Sequence, residues 1–169
     1  KQKLELVHSD ICQINGPLSL GGARYFITFM DDHTRYVEIA LLKAKSEALS
    51  AFRAYKAKVE NSTGCKIQKI RSDNGKEYTS REFETYLQTE GIEHQLSVDY
   101  TPEQNARAER LNRTLVTMTR CLLLDAGLPL SLWGEALNTS VYIRNRCPTK
   151  ALGNQTPFEA WTGQKPNVY

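Results

Sequence analysis

Three acidic residues stand out because their positions suit the binding of a hard cation. Asp10, Asp73 and Glu109 each lie at a predicted sheet edge or on a helix that faces the sheet. Mg²⁺ binds carboxylate oxygens and keeps several waters, which leaves room for a substrate phosphate. Two such ions about 3.5–4 Å apart can activate the attacking oxygen and stabilise the leaving oxygen of a phosphodiester. Phosphoryl transfer on nucleic acid is therefore one hypothesis among several.

Each of these carboxylates also has an ordinary structural explanation. An Asp at a sheet edge more often caps a turn than binds a metal, and Asp73 precedes the turn pair Asn74-Gly75. Glu109 can pair with Arg113 one helical turn later, an interaction worth about 0.3 kcal/mol. Local residue types favour turn chemistry for Asp73, so the functional hypothesis depends on the three residues meeting in the fold.

The strands that would position two of these carboxylates are predicted from alternating and β-branched runs. Residues 4–11 form the first, with Leu4 and Leu6 on its inner face and Asp10 at or near its end. Further strands are predicted over residues 25–32, 35–42, 66–72 and 92–98. The second and third form an antiparallel pair, and the fourth delivers Asp73 at its end.

Helices are predicted from apolar residues at three- and four-residue spacing and from capping signals. The longest runs from about Gln104 to Ala126 and carries Glu109 near its start. The predicted caps of the others are Ser46, a capping box from Thr79 to Glu82, Ser131, and Thr156 followed by Pro157. The order of elements predicts an α/β domain with a mixed five-stranded sheet flanked by helices.

The composition fits one folded domain. A chain of 169 residues, 40% hydrophobic and 24% charged, is not typical of disorder or coiled coil. No apolar run is long enough to span a membrane. The net charge is +3, and the basic excess lies between residues 101 and 150, a hint of polyanion binding. The spacing of the four cysteines does not suggest a zinc site.

The motifs around the carboxylates resemble those of the catalytic core of integrases from copia-type LTR retrotransposons, in the retroviral integrase superfamily. The matching stretches are His8-Ser9-Asp10-Ile11, residues 25–36 with Asp31-Asp32-His33-Thr34-Arg35, residues 71–78 and residues 101–113. Between Asp73 and Glu109 lie 35 residues, the spacing of the family's Asp-Asp-Glu motif. Residues 154–159 and 163–167 are similar to copia-type sequence that follows the core. Each motif is weak alone, but their order and spacing are specific.

The resemblance implies an RNase H-like fold in which Asp10, Asp73 and Glu109 are catalytic and hold two Mg²⁺ or Mn²⁺ ions. In the family, water cleaves near the 3′ ends of the element's cDNA, and the freed 3′ hydroxyls attack target DNA. The resemblance also implies a core over residues 1–150 and a C-terminal extension with a short helix over residues 151–169.

The same resemblance implies cellular context and partners. Such an enzyme is part of a Pol polyprotein, binds DNA, forms homo-oligomers and passes from a cytoplasmic particle to the nucleus, where it acts. The chain begins without Met, and we expect it to be a fragment that lacks the zinc-binding and DNA-binding domains found on either side of the core.

Four polar residues of the longest helix are candidates for DNA binding. Arg113 should share the face of Glu109, where it can hold a phosphate or pair with that carboxylate. Arg110 is a second candidate, with a solvated surface charge as the alternative. Gln104 and Asn105 open the helix, where their amides contact DNA or cap the helix.

The chain departs from the usual copia-type pattern at Ala106, where Gly is usual, and at Asp99, near which Pro is usual. Ala favours helix over Gly by up to about 1 kcal/mol, so we expect a stiffer loop before the catalytic helix. The departures fit a decayed or host-adopted core about as well as an active one. A core of that kind, which binds DNA or assembles without catalysis, is the main alternative. An RNase H-like nuclease or another transposase is a further alternative, which residues 156–167 disfavour.

Overall fold

Five strands form one mixed sheet. The structure is a computed structural model that describes residues 2–97 and 102–167; for residues 102–105 it describes the backbone but not the side chains. The strands are β1 (Val7–Gln13), β2 (Tyr25–Asp31), β3 (Val37–Leu42), β4 (Lys69–Ser72) and β5 (Glu93–Leu96). Their order across the sheet is β3-β2-β1-β4-β5. The first three pair antiparallel, whereas β4 runs parallel to β1 and β5 parallel to β4. The predicted mixed five-stranded sheet is therefore confirmed.

Helices cover both faces of this sheet. They are α1 (Ala48–Thr63), α2 (Arg81–Glu90), α3 (Pro102–Asp125), α4 (Trp133–Arg146) and α5 (Pro157–Thr162). The first two pack on one face and α3 and α4 on the other. Among the described residues, no helix is long and apolar enough to cross a membrane.

The alternation of side chains along β2 explains why the molecule has two apolar cores. Ile27 and Phe29 point towards α1 and α2, and Phe29 stacks on Tyr55 of α1 with ring centroids 4.4 Å apart. Phe26 and Met30 point towards α3 and α4. Because the strand is buried on both faces, its sequence is a nearly continuous apolar run.

Three predicted helix caps, Ser46, Thr79 and Ser131, are wrong. Ser46 and Ser131 lie inside 3-10 turns that precede α1 and α4. Ser80 rather than Thr79 caps α2, and its hydroxyl accepts a hydrogen bond from the amide three residues later (3.3 Å). Gly64 ends α1 in the left-handed conformation (φ +70°), as its position predicts. The helices were therefore identified correctly, but several of their starts were not.

The first strand begins later than its alternation predicts. Leu4 lies outside β1 with a φ of +63°, yet it is fully buried, and Leu6 is only half-buried. The amide of Leu4 donates to the Asp31 carboxylate (2.8 Å), which fixes the segment as a buried turn. The prediction of a strand over residues 4–11 is therefore wrong for its first residues. The Leu4 amide donates to the Asp31 side chain of β2 instead of to the backbone of a neighbouring strand.

The C-terminal extension packs back onto the body, as predicted from its capping signals. The Thr156 hydroxyl accepts from the amide three residues later (3.0 Å), and Pro157 follows as the first residue of α5. Trp161 stacks on Tyr36 before β3, with ring centroids 5.0 Å apart. Nearby, the Arg146 guanidinium lies 4.4 Å from the centroid of a second aromatic ring of α5.

Trp161→Ala is expected to lower the free energy of unfolding by about 2 kcal/mol, because it removes a half-buried aromatic stack. Urea denaturation followed by circular dichroism would measure the change. Leu124→Ala, at a side chain 77% exposed, is the control and should change stability by less than about 0.5 kcal/mol. Equal effects of the two substitutions would mean that the extension does not stabilise the core.

Candidate active site

The parallel pairing of β1 with β4 brings two acidic residues level with each other. His8 and Arg71 are the last paired residues of this ladder. Asp10 and Asp73 each follow two residues later along the same direction. The predicted position of Asp10 at a strand end is wrong, since β1 continues beside β2 to Gln13. Asp10 nevertheless lies where the pairing with β4 has ended.

The alternation of β1 turns the Asp10 side chain towards α3. The preceding Ser9 faces the other side, where its hydroxyl lies 2.8 Å from the Tyr78 hydroxyl. One carboxylate oxygen of Asp10 accepts from the Ile11 amide (3.0 Å), and the other accepts from Nδ2 of Asn112 on α3 (2.9 Å). Both oxygens of Asp10 are therefore held in a fixed orientation.

Asn112 is a site residue that the sequence analysis missed. It is buried, and its Oδ1 has no hydrogen-bond partner within the described part of the chain. Its position three residues after Glu109 places the two on neighbouring turns of one helix face, and that spacing was the available signal. Asn112 thus adds a buried acceptor oxygen beside the Asp10 carboxylate.

Asp73 forms the turn that its sequence predicts with one carboxylate oxygen, and its second oxygen is available to bind a ligand. Its Oδ1 accepts from the Gly75 amide (2.9 Å), while the other oxygen accepts no hydrogen bond from the described residues. A Cβ on Gly75 would lie 2.9 Å from Asp73 Oδ1 and 2.8 Å from the Glu77 carboxylate, so a larger residue here would require these side chains to shift. Asn74 acts as a turn residue, with Nδ2 donating to the Ser97 carbonyl (3.3 Å).

Glu109 and Arg113 lie on the face of α3 that borders Asp10. Together with Asn112 they line an open depression of about 480 Å³. The predicted grouping of Asp10, Glu109 and Arg113 on one side of the sheet is therefore present. Among the described residues, no three His, Cys, Asp or Glu side chains are close enough to hold one metal ion. The carboxylates surround the site without converging on one point.

The electrostatics of this depression oppose a negative charge on Asp10. Burial raises the pKa of Asp10 to about 7, the charge of Asp73 and then that of Glu109 act in the same direction, and hydrogen bonds from Ile11 and Asn112 partly offset them. A proton or a cation would relieve this cost. The available donors are hard oxygens, the ligands that Mg²⁺ prefers. The residues present thus fit a divalent cation.

Arg110, the second predicted DNA contact, lies on a different face of α3. It is exposed, and its Nε donates to the carbonyl of Ala106 (2.9 Å). It lines another depression together with Arg107 and Arg144. The structure therefore separates Arg110 from the carboxylates, and its contact with DNA stays a prediction.

Other sequence predictions fall at the start of α3. The side chains of Gln104 and Asn105, and the whole of Asp99, lie outside the described residues, so their predicted roles stay predictions. The helix begins at Pro102, earlier than predicted, and Ala106 lies inside it. Ala at this position is consistent with an early helix start, because it favours helix more than Gly does.

Comparison with known proteins places the chain in a family. The family described as "Integrase core domain" matches residues 1–102, a stretch that contains Asp10 and Asp73. The chain is 46% identical over 165 residues to the retrovirus-related Pol polyprotein from transposon TNT 1-94 of Nicotiana tabacum, covering 96% of the chain and 12% of that protein. It is 38% identical over 164 residues to that from transposon RE2 of Arabidopsis thaliana, covering 97% and 11%. The chain spans only about an eighth of these relatives.

Solved structures with the same fold are retroviral integrases. The intasome of simian T-cell lymphotropic virus with the PP2A regulatory subunit B56 gamma contains a chain with a TM-score of 0.75 and 21% identity, covering 98% of this chain and 56% of that one. The HTLV-2 integrase catalytic core with magnesium, in its trimeric form, has a TM-score of 0.70 and 19% sequence identity. This match covers 93% of this chain and 95% of that one. The expected RNase H-like fold is confirmed. The chain therefore belongs to the integrase core domain family, and the predicted likeness to retrotransposon integrases is confirmed by its plant transposon relatives.

Proposed function

We propose that this chain is the catalytic core of an integrase that processes the 3′ ends of retrotransposon cDNA and joins them to target DNA with two Mg²⁺ or Mn²⁺ ions. One observation carries the proposal: the fold sets Asp10 level with Asp73 and turns Asp10 towards the helix that bears Glu109. Membership of the integrase family supports the general class of activity. The two ions and the individual steps are part of the proposal.

Asp10, Asp73 and Glu109 would hold the ions, and bound ions would neutralise the scissile phosphate and activate the attacking oxygen. The chain's own contribution is orientation. Asn112 fixes one oxygen of Asp10, and the Gly75 amide fixes one oxygen of Asp73, so these two oxygens are oriented before DNA arrives. The depression is open to solvent, which allows a DNA strand to enter.

Arg113 would position the DNA by contact with a backbone phosphate. It lines the depression beside Glu109 and Asn112, and a guanidinium there offsets the charge of the approaching strand. It carries no information about base identity, since phosphates are the same at every position. Its role would be to set the register of the scissile bond over the carboxylates.

The partners in this proposal are element cDNA ends, target DNA and further copies of the chain, and the place of action is the nucleus. One solved relative is named as an intasome, and the HTLV-2 catalytic core is named in trimeric and dimeric forms. These names support assembly into oligomers on DNA. The activity of a whole Pol polyprotein extends well beyond the part this chain spans.

A DNA-binding or assembly module without catalysis is the second candidate function. The observation that favours it is that, in the described part of the chain, no three candidate ligands lie close enough to share one ion. The presence of Asp10, Asp73 and Glu109 around a partly buried site, where their charges repel one another, favours the catalytic proposal. The two candidates differ in what happens when one carboxylate is neutralised.

Glu109→Gln is expected to reduce metal-dependent activity at least about 100-fold, because it removes a charge that would hold the ions against the transition state. The measurement is Mn²⁺- or Mg²⁺-dependent nicking and disintegration of a labelled branched DNA. Glu135→Gln, at an exposed position of α4, makes the same charge change and should retain activity.

Equal activity of wild type and Glu109→Gln would remove Glu109 from the catalytic set. A folded wild-type chain that binds the substrate without cutting it would favour the non-catalytic module.

Asp73→Asn is expected to weaken Mn²⁺ binding at least about tenfold, because it removes a charged ligand while its amide oxygen can still accept from Gly75. Isothermal titration calorimetry on the isolated protein would measure this without DNA. Asp125→Asn, exposed at the end of α3, serves as the matched control. Unchanged Mn²⁺ affinity in Asp73→Asn would contradict metal binding by this residue.

Asp10→Asn is expected to stabilise the metal-free protein more at pH 8 than at pH 5, by a difference of about 2 kcal/mol. The pKa of Asp10 is raised from 3.8 to about 7 in the folded state, so the folded protein pays for an ionised carboxylate as the pH rises through this range. The penalty is absent below about pH 4 and complete above about pH 7. Urea denaturation in the presence of a chelator would measure it, and a pH-independent difference would contradict the raised pKa.

A further inference from the structure

Four arginines gather around a second depression of about 460 Å³ between the first half of α3, the turn that follows β2 and the end of α4. These residues, here called the arginine pocket, are Arg35, Arg107, Arg110 and Arg144. The residues that line the depression include no acidic side chain. The depression shares none of its lining residues with the one beside Asp10. It is therefore a separate feature of the surface.

The pitch of α3 explains why the two depressions do not overlap. Positions 107, 110, 111 and 114 follow the spacing of a single helix face, and all four line the arginine pocket. Positions 109, 112, 113 and 116 follow the same spacing on the opposite flank of the helix and line the carboxylate depression. One helix thus presents a basic surface on one flank and the carboxylate depression on the other.

Asp32 is the carboxylate that anchors one edge of the pocket. Its Oδ1 accepts from Arg107 (2.8 Å) and Arg35 (3.2 Å) and lies 2.9 Å from Nε2 of His8. Burial lowers the pKa of His8 despite the contact with Asp32, so this histidine is neutral at pH 7. Asp32 therefore pairs with two of the four guanidinium groups, and the pocket carries an excess of positive charge.

Arg144 and Arg110 hold the part of this charge that no acidic residue offsets. Arg144 is half-buried and donates to the backbone carbonyl of Arg35 (3.2 Å). Burial, and then the charge of Arg35, lower the pKa of Arg144. Arg110 lines the pocket and donates from Nε to a backbone carbonyl, while its terminal nitrogens donate to no described residue. Within the described residues, neither arginine has a carboxylate at ion-pair distance.

We propose that the arginine pocket binds a backbone phosphate of DNA, as a second phosphate site on the other side of α3 from the carboxylate depression. The guanidinium fork matches phosphate oxygens, and an incoming anion would offset the repulsion between Arg35 and Arg144. The naming of DNA rests on the proposed function, because a strand that crosses α3 from Glu109 and Arg113 reaches Arg110 next. The phosphate chemistry itself rests on the four arginines alone.

Arg110→Gln tests the site, since Arg110 is exposed and its removal should not disturb folding. The binding of a labelled DNA duplex is measured by fluorescence anisotropy in the presence of a chelator. The salt concentration is varied about fourfold, from roughly 50 to 200 mM. Affinity should fall several-fold for every sequence, and the slope of log affinity against log salt should shrink by about 1. Arg53→Gln, an exposed position of α1 across the sheet, makes the same charge change and should keep the wild-type slope.

Arg107→Gln is a second variant that should reduce the slope in the same way, and circular dichroism checks that it folds after losing its contact with Asp32. Wild-type slopes in both variants would overturn the proposal. Side-chain Nε–Hε signals followed by NMR during titration with inorganic phosphate separate the two sources of phosphate. Phosphate-dependent shifts of Arg110 together with an unchanged DNA slope would assign the pocket to a small phosphate and overturn the DNA assignment.

These measurements use no metal, so their failure is distinct from failure of the catalytic proposal. If Glu109→Gln kept metal-dependent nicking while Arg110→Gln reduced the salt slope by about 1, the arginine pocket would stand and the catalytic assignment would fall. If Glu109→Gln lost nicking activity while Arg110→Gln kept the wild-type salt slope, the catalytic assignment would stand and the proposed phosphate site would be rejected.

Discussion

The structure depends on a short parallel ladder between β1 and β4 at the centre of the sheet. Val7 pairs with Ile70 and His8 with Arg71, and these are residues far apart in the chain. A parallel pair needs a crossover, which α1 supplies, and its closure buries both faces of the sheet. The same ladder sets the two aspartates level with each other. Fold and candidate site thus share a single constraint.

This arrangement places charge where the fold alone would not favour it. Burial and two neighbouring carboxylates oppose ionisation of Asp10. The hydrogen bonds from Ile11 and Asn112 hold its carboxylate in place but only partly offset the rise in its pKa. Asn112 and the Gly75 amide hold one oxygen each of Asp10 and Asp73. A buried carboxylate that lowers the stability of the fold is a common feature of sites that are organised for a ligand before it binds.

Helix α3 links the two charged surfaces of the molecule. Its apolar residues Leu111 and Leu115 pack in the same core as Phe26 and Met30, which fixes the rotation of the helix about its axis. That rotation turns Glu109 and Arg113 to one depression and Arg110 to the other. The packing of these leucines therefore decides the placement of acidic and basic groups on the two flanks of the helix.

The sequence by itself determined the number, type and order of the elements, because periodicity and turn chemistry act over a few neighbouring residues. The motif order and the spacing of Asp73 and Glu109 also identified the family and predicted Asp10, Asp73 and Glu109 as its catalytic carboxylates. Only the tertiary structure decided where Leu4 lies, that Asn112 holds Asp10, and that Arg110 and Arg113 face different depressions. These depend on which side chain from a distant element fills a position, and no local pattern contains that information.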